Sequence, residues 1–290
     1  MVTGRWLAVA ALLLVALVWI AIPVARAVAL VANVPRPSGV AAMTGLDLET
    51  VRFESADGVR LEGSLAFAGP GAPVVVLVHG FKSDRAEMLA YATFLRAAGY
   101  SVLLFDRRGC GASEGWGIGL GATEDRDVVG AVRFARSRLG GVRVGVLGIS
   151  LGAGIAIRTA AREPAIAAVV ADSPWADEDF QLDRLATLRG VPLPPIGEGL
   201  VDVLAGTRVR DARPVDDIAM IAPRAVLLIR SADDDNATTS ADAEARLFSA
   251  AREPKAEWIA PSGGHVGSLG AHPEEYERRV LEFLARYLRP

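Results

Sequence analysis

The 290-residue chain is poor in the residues that build disulfide frameworks and metal clusters, with one cysteine, Cys110, and three histidines. A single thiol excludes an intramolecular disulfide and any multi-thiolate metal site. A basic surplus is also missing. Lysine and arginine total 31 against 34 acidic residues, a net charge of −3, which supplies no footprint for a nucleic-acid backbone. Internal repeats and low-complexity tracts are lacking as well. What the chain does have is apolar material: 51% of residues are hydrophobic and 22% charged, enough for a large folded core. The length suits one large α/β domain.

The longest hydrophobic run comes first. Trp6 to Ala25 contains twenty residues without a charge, and a helix of about 20 residues at 1.5 Å each spans about 30 Å of hydrocarbon. Arg5 and Arg26 bracket it, and Trp6 and Trp19 lie near its ends, where indole rings favour the headgroup level. Residues 6–25 are therefore expected to engage a lipid bilayer as a single-pass anchor. A secretory signal peptide is the rival reading, because Ala25-Arg26-Ala27 resembles a small-x-small cleavage site, although the run exceeds the usual apolar core of roughly 7–15 residues. Arg5 and the amino terminus balance Arg26 and Arg36, so the charges set no orientation. A Pro35-Arg36-Pro37-Ser38-Gly39 linker is expected to separate an anchor, residues 1–35, from a working domain, residues 36–290.

In that domain, Val51–Ser55 and Arg60–Phe67 flank Asp57-Gly58, the signature of a hairpin. Continuous apolar runs follow at Val74–Val78, Val102–Phe105, Val142–Ile149, Ala167–Ala171 and Ala225–Ile229, as strands buried on both faces of a parallel sheet require. Helical stretches at Ala86–Ala98, Thr123–Arg138, Gly152–Arg162 and Pro273–Leu288 alternate with them. The pattern predicts an α/β fold with a mostly parallel central sheet and helices on both faces. Residues 175–223 interrupt the rhythm with a Pro-rich insertion, expected to form a small cap or lid.

Ligands of such sheets sit at the carboxyl ends of the strands, so reactive residues are sought there. The run Val144–Leu147 leads into Gly148-Ile149-Ser150-Leu151-Gly152 and then a helix-forming stretch, a G-x-S-x-G in strand–turn–helix context. The glycines permit a tight turn that exposes the Ser150 hydroxyl, and the following helix N-terminus favours developing negative charge. A serine nucleophile needs a base, usually histidine. His265, in the Gly-rich loop Pro261–His265, is placed to reach a strand-end serine; His272 beside Pro273 fits the start of the terminal helix instead. His79-Gly80-Phe81 follows an early strand and reads as a turn presenting backbone N–H groups, including that of Phe81, to an oxyanion. The orienting acid falls within Asp233-Asp234-Asp235, with Asp234 preferred and Asp172 as the alternative acid. The order nucleophile, acid, base differs from those of chymotrypsin and subtilisin.

With these motifs the chain resembles the α/β-hydrolase superfamily over roughly residues 50–290. His79-Gly80 is similar to its oxyanion-loop signature, Gly148–Gly152 to its nucleophile elbow, and Asp106-Arg107-Arg108-Gly109-Cys110-Gly111-Ala112-Ser113 to its D-x-R-G-x-G-x-S turn. The amino-terminal span with Gly121–Asp127 looks like membrane-associated bacterial members related to serine aminopeptidases and lysophospholipases. The resemblance implies hydrolysis through an acyl-enzyme. It casts Ser150, Asp234 and His265 as catalytic, and the N–H groups of Phe81 and Leu151 as the oxyanion hole. His79, Gly80, Gly148 and Gly152 then support the site. One departure is that the acid-bearing strand continues into Arg230-Ser231 where many relatives have His-Gly.

Other signals are set aside. Gly117–Ala122 matches a dinucleotide fingerprint but no strand precedes it, and the Asp233–Asn236 cluster lacks the register of a calcium loop. Cys110 reads as a packed thiol, and Glu124 and Asp127 as first-turn helix acids that also reach the Arg107-Arg108 turn. No cofactor and no metal are expected. The reading is a membrane-anchored serine hydrolase of a small acyl substrate, ester, thioester or amide, with an aminopeptidase-like peptidase or a non-catalytic binding protein of the same fold as alternatives.

Overall fold

Apolar runs without alternation need cover on both faces, and the sheet supplies it. A computed structural model describes residues 2–33, 45–177 and 179–289; the Pro35–Gly39 segment lies outside the described residues. After helix α1 (Val2–Val31) the chain forms β1 (Glu49–Glu54) and β2 (Arg60–Ala66), an antiparallel hairpin about the Asp57-Gly58 turn. There follow β3 (Val74–Val78), α2 (Leu89–Ala97), β4 (Ser101–Phe105), α3 (Asp125–Arg138), β5 (Val144–Ile149), α4 (Leu151–Arg162) and β6 (Ile166–Asp172). The insertion before the next strand holds α5 (Asp179–Asp183), the two-residue strands β7 (Thr187–Leu188) and β8 (Val191–Pro192), α6 (Gly197–Ala205) and α7 (Pro214–Asp217). The chain closes with β9 (Ala225–Ser231), α8 (Ala241–Ala250), β10 (Lys255–Ala260), α9 (Ser268–Ala271) and α10 (Pro273–Leu288).

Among the described residues the main sheet has eight strands, in the order β1-β2-β4-β3-β5-β6-β9-β10. β2 pairs antiparallel with β1 and β4, and every other neighbouring pair is parallel. Strands β3, β4 and β5 are buried along their whole length. One apolar layer joins the sheet to α3, α4, α8 and the insertion, and the opposite layer joins it to α2 and α10. In the second layer Tyr276 of α10 meets Tyr91, Phe94 and Trp258 edge to face.

Two elements differ from the sequence expectation. The stretch expected as one helix from Ala86 opens with a 3₁₀ turn at Arg85–Met88, capped by the Asp84 carboxylate accepting from the Ala86 amide at 2.8 Å. More consequentially, the first helix does not stop at Ala25. It runs to Val31, and Ala27 and Val31 are buried in the domain core. A helix continues while its apolar stripe has a surface to cover, and the insertion provides that surface.

Candidate active site

Ser150 lies between β5 and α4 with φ 50° and ψ −121°, a backbone region that non-glycine residues seldom occupy. The flanking glycines explain how such a turn fits. A Cβ on Gly148 would overlap the Gly152 carbonyl, and a Cβ on Gly152 would overlap the carbonyls of Val78 and His79. The first turn of α4 therefore passes against the ends of β5 and β3, which lifts the serine hydroxyl above the sheet. The Ser150 amide donates to the Asp172 carbonyl at 2.8 Å, fixing the turn to β6.

The hydroxyl meets His265, carried by the loop between β10 and α9. His265 Nε2 lies 2.9 Å from Ser150 Oγ, and its Nδ1 lies 3.0 Å from Asp234 Oδ2. Asp234 follows β9; its other oxygen accepts from the Asn236 amide at 2.9 Å, and Thr239 Oγ1 donates to Oδ2 at 3.3 Å. Burial raises the Asp234 pKa, but the hydrogen bonds from His265, the Asn236 amide and Thr239 outweigh it and hold the carboxyl below its ordinary value. The neighbouring Asp233 clamps the histidine loop by accepting from the Gly264 amide at 2.9 Å, and its carboxyl falls to about 2 through hydrogen bonds from Ser231 and from that loop.

The alternative acid is engaged elsewhere. Asp172 accepts from Tyr276 Oη at 2.9 Å and from Ser173 Oγ at 3.1 Å, while the His265 Nδ1 faces Asp234. Burial pushes the Asp172 carboxyl up to about 6 against those hydrogen bonds. The other two histidines do not face Ser150 Oγ. His272 occupies the N-cap position of α10, and its Nε2 lies 3.1 Å from Ser262 Oγ. His79 is fully buried at the end of β3, where its Nε2 accepts from the Arg107 amide at 3.1 Å and its Nδ1 lies 3.0 Å from the Gly80 carbonyl. Burial and then the Arg107 charge push its pKa well down, which keeps the ring neutral.

Arg107 belongs to the Asp106–Ser113 turn, and the contacts show what that turn does. Its guanidinium donates to the Gly80 carbonyl at 2.7 Å, bracing the loop that carries Phe81. Asp106 closes the turn by accepting from the Ala112 amide at 2.8 Å and from the Arg85 guanidinium at 2.7 Å. Cys110 is buried there, its Sγ facing the Asn33 amide group at 3.4 Å.

Above Ser150 is a small cavity of about 40 Å³, lined by Phe81, Leu120, Leu151, Trp175, Thr238 and Thr239. Leu151 opens α4, where backbone N–H groups have no intrahelical acceptor. Leu120 has φ +52° and is held there by the Glu124 carboxylate, which accepts from the Gly119 and Gly121 amides at 2.7 and 2.9 Å. Trp175 donates its indole N–H to the Leu151 carbonyl at 3.0 Å. Neither the Thr239 contact nor the Trp175 wall was signalled in the sequence. The D-x-R-G turn pointed to Arg107 but not to its hold on Gly80.

Comparison with known proteins agrees with this architecture. The profile of the family described as "Serine aminopeptidase, S33" matches residues 70–210. The uncharacterized protein YqkD of Bacillus subtilis is 32% identical over 218 residues, covering 72% of this chain and 70% of that one. The uncharacterized protein Rv2307c of Mycobacterium tuberculosis is 32% identical over 244 residues, 82% of this chain and 78% of its own. Among solved structures, the Pyrococcus furiosus esterase Pf2001 superposes with a TM-score of 0.71 at 27% identity, over 88% of this chain and 99% of that one. The chain therefore belongs to the α/β-hydrolase superfamily.

Proposed function

We propose that this protein is a membrane-anchored serine hydrolase that cleaves a carboxylic ester through an acyl-enzyme. The observation that carries the reading is the unbroken chain from Ser150 Oγ to His265 Nε2 at 2.9 Å and from His265 Nδ1 to Asp234 at 3.0 Å. In the reaction Ser150 Oγ attacks the ester carbonyl while His265 Nε2 takes its proton. Asp234 fixes the Nδ1–H tautomer and stabilises the imidazolium. The N–H groups of Phe81 and Leu151 hold the oxyanion. The imidazolium returns the proton to the departing alcohol, and water, activated by the same histidine, releases the acid and restores Ser150.

The lining supports an ester over a peptide with a free amino terminus. Besides Ser150 it consists, among the described residues, of Phe81, Leu120, Leu151, Trp175 and two threonines, with no carboxylate to receive an ammonium group. The name of the Pyrococcus furiosus relative, an esterase, points the same way. Retention of α1 is supported by its far end: cleavage after Ala27 would cut the helix inside the buried stripe of Pro23, Ala27 and Val31. The helix is long and apolar enough over Arg5–Val31 to cross a membrane.

The test is release of p-nitrophenol from acetate, butyrate and octanoate esters by the full chain in detergent, with Ser150→Ala beside it. Turnover by the wild type and its loss in the variant is the expected result. Equal turnover by both would contradict the assignment of Ser150, and inactivity of the folded wild type would favour a peptidase or a binding protein.

A further inference from the structure

The junction between α1 and the hydrolase domain has a consequence beyond anchoring. Residues 5–18 of α1 are exposed throughout, and then one stripe at four-residue spacing turns inward: Trp19 is half-buried and Pro23, Ala27 and Val31 are buried. The surface that receives this stripe is the insertion. A side chain at Gly197, the first residue of α6, would press on both Pro23 and Leu185. Arg26 donates to the carbonyls of Arg184 at 3.0 Å and Thr187 at 2.8 Å, gripping the β7–β8 hairpin.

The end of α1 then reaches the loops that surround Ser150. Lys82, next to Phe81, donates to the carbonyls of Ala29 and, at 2.7 Å, Ala32. The Ile118 amide donates to the Val31 carbonyl at 2.9 Å, and Asn33 Nδ2 donates to the Gly109 carbonyl at 2.9 Å. All these contacts lie at the carboxyl-end side of the sheet, the side of Ser150.

Length arithmetic sets the level of the bilayer. A span starting at Trp6 uses about 20 residues to cross about 30 Å and so ends near Ala25, level with the cap contacts of Pro23 and Arg26. From Arg26 to Ala32 is about 9 Å along the helix axis at 1.5 Å per residue, which brings the Phe81–Lys82 loop within about 10 Å of the hydrocarbon boundary. Val191 and Ile196, which lie in sequence between Thr187, held by Arg26, and Gly197, facing Pro23, are exposed although apolar, at 49% and 38%. Single exposed apolar residues are ordinary, but these two belong to the segment that packs on α1, a helix whose own exposed face is apolar, and one medium covers both.

We propose that the end of α1 and the cap form one docking face, which lays Val191 and Ile196 into the bilayer surface and turns the mouth of the Ser150 site toward the membrane. The substrate is then an amphiphilic ester resident in that bilayer, reached from the membrane side. The substrate half of this proposal rests on the serine hydrolase reading above; the docking half does not.

The test uses the full chain reconstituted in phosphatidylcholine vesicles. Because the only native cysteine is buried, Ile196→Cys can carry a thiol-reactive fluorophore, with Ser137→Cys, exposed near the far end of α3, as the control. Lipids bearing shallow quenchers are expected to quench the label at 196 and leave the label at 137 bright. Equal, weak quenching at both positions would overturn the docking face, including the case in which a second copy of the chain covers it. In the same vesicles, the double variant Val191→Asp/Ile196→Asp is expected to cut hydrolysis of a vesicle-embedded monoacylglycerol about ten-fold or more while p-nitrophenyl butyrate turnover stays within about two-fold. Wild-type activity on butyrate with none on the embedded ester would overturn the substrate assignment alone. A label quenched at 196 in a chain with no activity on either ester would refute the hydrolase reading and leave the docking standing.

Discussion

The indole N–H of Trp175 donates to the carbonyl of Leu151 at 3.0 Å, so the start of the insertion is fastened to the residue that follows Ser150. The same ring walls the cavity above the serine. Trp175→Phe keeps an aromatic wall but removes the side-chain donor to the Leu151 carbonyl and leaves space beside Gly121, against which the indole packs. Loss of such a hydrogen bond costs about 0.5–1.5 kcal/mol. Thermal unfolding should show a lower midpoint, and the octanoate-to-acetate turnover ratio should rise. An unchanged ratio would mean that Trp175 does not bound the acyl group.

Asp234 and Asp172 are separated by a single comparison. If Asp234 holds the His265 tautomer, Asp234→Asn should lower kcat by about 10⁴-fold, whereas Asp172→Asn, whose side chain faces Tyr276 and Ser173, should lower it by less than about ten-fold. The reverse order would exchange their roles.

The buried Asp172 also predicts a pH dependence of stability. Its carboxyl is pushed up to about 6 from 3.8, so the folded state holds this proton more tightly than the unfolded state. That contribution is fully present below pH 3.8 and is lost as pH rises toward about 6. Integrated over the shift it amounts to about 3 kcal/mol. Relative to wild type, Asp172→Asn should therefore gain stability between pH 4 and pH 7 (roughly that amount) when urea unfolding is compared at the two values. A constant difference between the two proteins would contradict the shift.

Gly152 is required by the close passage of α4 over β3. In Gly152→Ala the new methyl meets the carbonyls of Val78 and His79, backbone atoms that cannot rotate away. Overpacking of this kind costs about 1–3 kcal/mol or more. Both the unfolding midpoint and esterase turnover should fall, because the displaced helix carries Leu151. A fully active, equally stable variant would contradict the packing of the elbow.

Much of this was legible because strand ends and turns leave chemical marks. The Asp57-Gly58 hairpin, the apolar strands and the helix Pro273–Leu288 follow from periodicity and turn residues; of the three residues that the structure brings together, Ser150 and Asp234 each sit just after a readable strand and His265 sits in a readable Gly-rich loop. The continuation of α1 to Val31 was not legible, since Arg26 looks like the end of a span until its guanidinium finds the carbonyls of Arg184 and Thr187. Thr239 and Glu124 were equally hidden in their present roles. Their partners are set by how loops cross above the sheet, which leaves no periodic trace in the chain.

Whether Ser150 is a nucleophile activated by His265 can be read by mass spectrometry of the full chain after exposure to a fluorophosphonate. One phosphonyl adduct is expected, on the peptide bearing Ser150, absent in Ser150→Ala and strongly slowed in His265→Ala. A folded wild-type protein that takes up no adduct, or takes it up at another residue, would contradict it.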